Sequence, residues 1–238
     1  MKINWNYIKA FVLVGLTFFL FAFAKTRNET RKLTEVNLYF TNSENLYVTE
    51  EAVNKLLIQN DVRVQSIGKE TLDLNGVEAV LDTHNMIENA EVFVSIDGKL
   101  GATITQRQPL ARILDDSSYY LDRQGLKMPL SEYHSARVPL VTGVSEKELK
   151  EVFPVVEFIK GDEFLAHHIT SIHRDGNGFY ELQLRELEFK VFFGTPIDIE
   201  RKFNNFKAFY QKAMKDKKLD TFTKVDLQFG NQVVCTKK

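Results

Sequence analysis

The sequence predicts an α+β protein held on a membrane tether, and three observations predict it. A charge-free apolar run, Ala10–Ala24, lies near the N-terminus. From Val36 to Ile104 the apolar spacing reads strand, helix, helix, strand, strand. After Pro109 the spacing turns mostly two-fold, with two helical patterns set among the strands.

The apolar run alone extends about 22 Å as a helix, short of the roughly 30 Å of bilayer hydrocarbon. Carried back through Ile8, Tyr7, Trp5 and Ile3 it reaches about 33 Å. Lys9 can extend its stem to the interface, and Trp5 and Tyr7 suit the headgroup level. Two readings fit these residues: a retained anchor, or an export signal cleaved at Ala22-Phe23-Ala24. Lys25, Arg27, Arg31 and Lys32 follow the run and only Lys2 and Lys9 precede it, which by charge alone favours the opposite orientation. A tail this short leaves no room for a domain on the N-terminal side, so both readings export the C-terminal part.

That part has an ordinary globular composition. The 238 residues are 44% hydrophobic and 26% charged with net charge −1, which allows one or two small domains and argues against a nucleic-acid surface. The single cysteine, Cys235, excludes an internal disulfide.

Each element follows from local spacing. Val36, Leu38 and Phe40 alternate as in a half-buried strand. Thr49 caps a helix whose apolar face is Val53, Leu56 and Leu57 and whose stop is Asn60. Asn75 with Glu78 is a weak capping box for a second helix burying Val77, Val80 and Leu81. Val92, Val94 and Ile96 pair with Leu100, Ala102 and Ile104 across the turn Asp97-Gly98. Two helices over three strands make one small α+β unit.

Beyond Pro109, Leu110–Leu114, Tyr119–Leu121 and Val138–Val141 read as strands. Ser145 and Glu148 open a helical pattern through Leu149, Val152, Val156 and Ile159, which Pro154 should kink or split. Ile169–His173, then Tyr180 to Leu184 and Phe189 to Phe193, alternate as strands, with Asp175-Gly176-Asn177-Gly178 as a turn. Ile199, Phe203, Phe206, Tyr210 and Met214 recur at helical spacing. Val225–Val234 reads as a terminal strand with Val225 and Leu227 in the core, so the unit reads as a meander of strands with two helices on one face.

Four short motifs stand in order behind the apolar run. They are Gln106-Arg107-Gln108-Pro109-Leu110-Ala111, Tyr120-Leu121-Asp122-Arg123-Gln124-Gly125, Val138-Pro139-Leu140-Val141-Thr142-Gly143 and Val225-Asp226-Leu227-Gln228-Phe229. In these motifs and in its order of segments the chain resembles the FtsQ/DivIB family of bitopic bacterial cell-division proteins. Gln106 stands in place of the family's usual Glu, and Gln228 where Arg is common.

The resemblance implies a cytoplasmic tail (1–9), a retained transmembrane helix (10–24), a linker (25–32), a POTRA domain (33–106) and a β domain (107–238). It implies a single-pass plasma-membrane protein at the division septum, with its bulk outside the membrane. It implies a scaffold without catalytic activity or cofactor. Its β domain would receive FtsB, arriving with FtsL, and its POTRA domain would make further divisome contacts.

Strand addition is the physical means: an open sheet edge offers unpaired backbone groups that an extended peptide satisfies. Here the edge is expected on the terminal strand. Phe229, Val233 and Val234 would form side-chain pockets, and Gln228 and Gln232 would orient the peptide. Gln at 228 keeps hydrogen bonds and loses charge; Lys224, Lys212 or Lys215 are the candidate replacements. Arg107 and Pro109 are expected at the domain junction, and Asp122 and Gly125 as turn chemistry.

Two other classes are weighed. One is a different POTRA-bearing protein, in outer-membrane assembly or secretion. The other is a membrane-anchored metal-dependent enzyme using His167, His168 and His173, although no metal site is expected without Cys or acidic partners at ligand spacing. Asp115-Asp116 reads as a polar loop and Lys212–Lys218 as a solvated helix end. No nucleophile elbow, Walker loop, dinucleotide fingerprint or zinc-protease helix is present.

Overall fold

The computed structural model describes residues 5–29, 36–41, 47–59, 73–95, 97–230 and 232–238. An N-terminal helix, α1 (Trp5–Glu29), is apolar around its central run Ala10–Ala24, and its Lys9–Thr26 segment is long and apolar enough to cross a membrane. The chain divides into two compact units, Met1–Gln106 and Arg107–Lys238. The architecture is α+β, with a small sheet in the first unit and a large one in the second.

The first unit has β1 (Val36–Phe40), α2 (Glu50–Gln59), α3 (Leu74–Asp82), β2 (Ile87–Val94) and β3 (Leu100–Gln106), with sheet order β1-β3-β2. β1 runs parallel to β3 and β2 antiparallel to it. Thr49 caps α2 through its hydroxyl, which accepts the Ala52 N–H. The expected stop at Asn60 and the strand end at Ile96 lie outside the described residues. α3 starts earlier than the sequence suggests: Asp73 is its cap and accepts the Gly76 N–H at 3.1 Å, so Asn75 falls inside the first turn. Glu78 is therefore free for another partner, the Val92 N–H of β2 at 2.7 Å. Asp82 takes the Ala90 N–H at 3.0 Å, so α3 covers the edge of β2 with two carboxylates. Val53, Leu57, Val77, Leu81, Ile87 and Ile104 are buried in this unit.

The second unit holds β4 (Pro109–Leu114), β5 (Ser118–Asp122), β6 (Lys127–Met128), β7 (Leu140–Thr142), α4 (Leu149–Gly161), α5 (Glu163–His168), β8 (Ile169–Arg174), β9 (Tyr180–Leu184), β10 (Lys190–Gly194), α6 (Ile199–Lys215), β11 (Phe222–Asp226) and β12 (Val234–Lys237). The sheet order is β12-β11-β10-β9-β8-β7-β4-β5-β6. This is not the simple meander expected. β4–β7, β7–β8 and β10–β11 are parallel pairs, and parallel neighbours need a crossover. α4 and α5 make the crossover from β7 to β8, and α6 makes the one from β10 to β11.

Pro154 does not split α4, which is one element from Leu149 to Gly161. Pro154 and Lys150 both face solvent, so the carbonyl that loses its donor can be hydrated. The Ser145/Glu148 capping box is present and opens a short 3-10 turn ahead of α4. α5 escapes the sequence reading, and its cap is Asp162, which accepts the Leu165 N–H at 3.0 Å. The core joins Ile113, Val141, Val156, Leu182, Phe193, Phe203 and Phe206 between sheet and helices.

Candidate protein-docking edge

β12 ends the nine-stranded sheet and pairs antiparallel with β11, Val225 opposite Cys235 and Asp226 opposite Val234. The expected single strand Val225–Val234 is instead a hairpin. The Asp226 carboxylate accepts the Gln228 N–H at 3.1 Å, and the Leu227 N–H turns to the Phe192 carbonyl at 2.9 Å. The chain thus leaves β11 at Asp226 and returns as β12 from Val234. Gly230 within the connection is a turn signal in the sequence, overridden there by the alternation of Val225, Leu227 and Phe229.

The Lys238 N–H donates to the Thr221 carbonyl at 2.9 Å, inward toward β11. Antiparallel pairing alternates every residue, so Thr236 and Val234 also face β11, and Cys235 and Lys237 turn their N–H and C=O groups outward. Among the described residues, no strand pairs with that outer side and no side chain takes those two amides.

The five predicted partner residues lie around this edge, four of them in the connection. Gln228 is exposed, and its side chain lies on Gly194, where a Cβ would come within 2.7 Å of the Gln228 Cγ. Gly194 has φ +76°, so both its backbone angle and the space favour glycine. Phe229 is 47% exposed and Gln232 is exposed. Val233 and Cys235 are half-buried against the core, while Val234, opening β12, is 41% exposed. Burial pushes the Cys235 thiol up, away from thiolate chemistry. Val225 and Leu227 are core residues.

Of the cations considered as replacements at 228, Lys224 is tied to Asp226 at 3.1 Å and sits over the Phe192 ring, and Lys212 and Lys215 are exposed in the last turn of α6. A further cation, missed in the sequence, lies against the connection itself. Arg201 on α6 lies against Gly230 and pairs with Asp198, and Asn205 one turn on donates to the Gly230 carbonyl at 3.3 Å. Their i, i+4 spacing was the available signal. The buried Lys202 donates to the Thr195 carbonyl at 2.7 Å and fixes the turn between β10 and α6; burial holds its ammonium below the usual range.

At the opposite end of this unit, Arg107 and Pro109 converge with the Asp122 turn. Arg107 Nη1 donates to Asp122 Oδ2 at 2.6 Å, with the Asp122 side chain 2% exposed. Asp122 Oδ1 accepts the N–H groups of Gln124 and Leu126, and Gly125 has φ +73°. Pro109 is buried and starts β4. Gln106 belongs to the first unit and accepts the Tyr47 and Val48 N–H groups. The Gly143 of the third motif, φ +73°, sits so close to the Arg174 carbonyl that no Cβ fits.

The His167 and His168 rings meet edge to face, 5.0 Å between centroids, and His173 lies on β8. His168 bonds the Phe164 carbonyl and packs on Phe164 and Tyr210, and His173 bonds the Thr142 hydroxyl. Among the described residues no three His, Cys, Asp or Glu side chains gather as metal ligands, and the metal-enzyme alternative finds no support.

Residues 108–236 match the family described as FtsQ/DivIB, C-terminal related. The chain is also similar to the cell division protein FtsQ of Geotalea daltonii (strain DSM 22248 / JCM 15807 / FRC-32), 24% identical over 184 residues, covering 70% of this chain and 64% of that protein. The chain thus spans less than two thirds of that relative's length. Neither match points to outer-membrane assembly or secretion.

Proposed function

The chain belongs to the FtsQ/DivIB C-terminal related family, and on that premise we propose that it is a non-catalytic, membrane-anchored cell-division scaffold that receives a partner peptide by strand addition at β12. In this reading α1 spans the plasma membrane with its short tail in the cytoplasm. The first unit is a POTRA domain making further divisome contacts, and the second is the β domain. Both lie outside the membrane at the septum and gather FtsB and FtsL into the division machinery.

The observation that carries the reading is the outer side of β12. Two outward residues, Cys235 and Lys237, offer backbone pairs to an incoming strand, and Phe229 and Val234 offer apolar contact beside it. Arg201 supplies a cation next to the connection, where the family often carries one at 228.

Binding of the full chain to an FtsB–FtsL pair tests this. Lys237→Pro removes an outward N–H without touching the ladder to β11, so the fold tolerates it. It is expected to weaken binding at least about tenfold, whereas Lys237→Ala stays within about twofold. Equal binding by both variants would move the docking surface away from β12.

A further inference from the structure

A second concave site lies away from β12, at the end of the sheet where β7 and β8 begin and β9 finishes. It is a pocket of about 270 Å³ whose apolar lining is the part-exposed Val138 and Ala166 beside the buried Pro139, Ile159 and Ile169. Three cations stand on its lining: Arg137 before β7, Lys160 near the end of α4 and Arg185 after β9. Among the described residues none of the three has a carboxylate within 4 Å. By contrast the neighbouring cations Lys207 and Arg174 are both paired, with Asp162 and with Glu148 and Glu151.

Arg185 is also oriented in advance. Its backbone N–H donates to the His168 carbonyl at 2.8 Å and its Nε to the His167 carbonyl at 3.0 Å. Both bonds fix the stem on the end of α5 and leave the two Nη groups as a fork, the geometry that takes a carboxylate through two parallel bonds. The Lys160 ammonium and the Arg137 guanidinium share the same lining. A lining that mixes part-exposed hydrocarbon with three cations calls for a ligand that carries both an apolar group and anionic ones.

We propose that this pocket docks an acidic extended peptide, with one apolar side chain against Val138, Pro139 and Ala166 and flanking carboxylates on Arg185, Arg137 and Lys160. A phosphate-bearing headgroup would satisfy the cations but leave the apolar lining unfilled, which disfavours a lipid surface. The site is independent of β12, and its loss would leave strand addition intact.

The probe is a fluorescein-labelled Glu-Asp-Leu-Glu-Asp peptide, titrated into the full chain in detergent micelles and compared with its Gln-Asn-Leu-Gln-Asn isostere. The acidic probe is expected to bind at least about tenfold more tightly, more weakly in raised salt, and equally well to the Lys237→Pro variant. Arg185→Gln is expected to lose about tenfold, and Arg185→Lys, which keeps charge but not the fork, an intermediate amount. Arg137→Gln alters an exposed side chain with no internal partner among the described residues, so a several-fold loss with an unchanged unfolding curve reports lost binding. Equal binding of the two peptides, or undiminished binding by both Gln variants, would overturn the proposal. Displacement of the peptide by phosphatidylglycerol vesicles would overturn it in favour of a membrane surface.

Discussion

The edges of the two sheets are treated in opposite ways. β2 ends the first sheet, and two of its N–H groups, on Ala90 and Val92, are taken by Asp82 and Glu78 of α3. β12 ends the second, and no described side chain takes its outward amides. An unpaired edge invites other strands, so folded proteins cover it unless pairing is the purpose. The difference teaches that the open edge of β12 is a local choice of sequence. α3 carries carboxylates at the right pitch to reach β2, while the α6 side chains near β12, Arg201 and Asn205, reach only the connection at Gly230.

The comparison can be strained from several sides. The largest effect is expected at the β4–β5 end of the second sheet. Arg107→Ala strands the Asp122 carboxylate, buried but still holding two backbone donors, and should cost roughly 3 kcal/mol in denaturant unfolding. If β12 is an autonomous docking edge, partner binding by the folded fraction should not change. Glu78→Ala should cost roughly 1–2 kcal/mol by orphaning the Val92 N–H, and should open the β2 edge to self-association measurable by sedimentation.

A smaller effect follows from Asp162, whose carboxyl the Lys207 ammonium holds below the usual range and which thereby ties the cap of α5 to α6. A depressed folded-state pKa gives stability that is present above the unfolded value of about 4 and lost as pH falls through the folded one. Unfolding curves of Asp162→Asn should therefore converge on the parent's in acid and fall below them at neutral pH. Phe229→Ser should move stability least, by under about 0.5 kcal/mol, because the ring is half exposed, yet it should weaken partner binding.

Much of the secondary structure was legible in the spacing. The β2–β3 hairpin announces itself by alternation around Asp97-Gly98, and α6 by five apolar residues at helical pitch. α5 was not legible, since six residues are too few for a helical period to show. The order of strands was hidden as well, because pairing such as β4 with β7 is decided by packing far along the chain. The β11–β12 turn was hidden for a local reason: Val225, Leu227 and Phe229 keep a strand's alternation straight through the point where Asp226 folds the backbone away. The covering of β2 by α3 rests on side-chain contacts with backbone amides eight and fourteen residues on, to which periodicity is blind.

Amide hydrogen exchange of the full chain, alone and with an FtsB–FtsL pair, probes the open edge most directly. Strand addition at β12 predicts that the Cys235 and Lys237 amides exchange fast in the free protein and slow at least about tenfold in the complex, while the inward Thr236 amide is already slow in both. A complex that forms with unchanged exchange at Cys235 and Lys237 would contradict it.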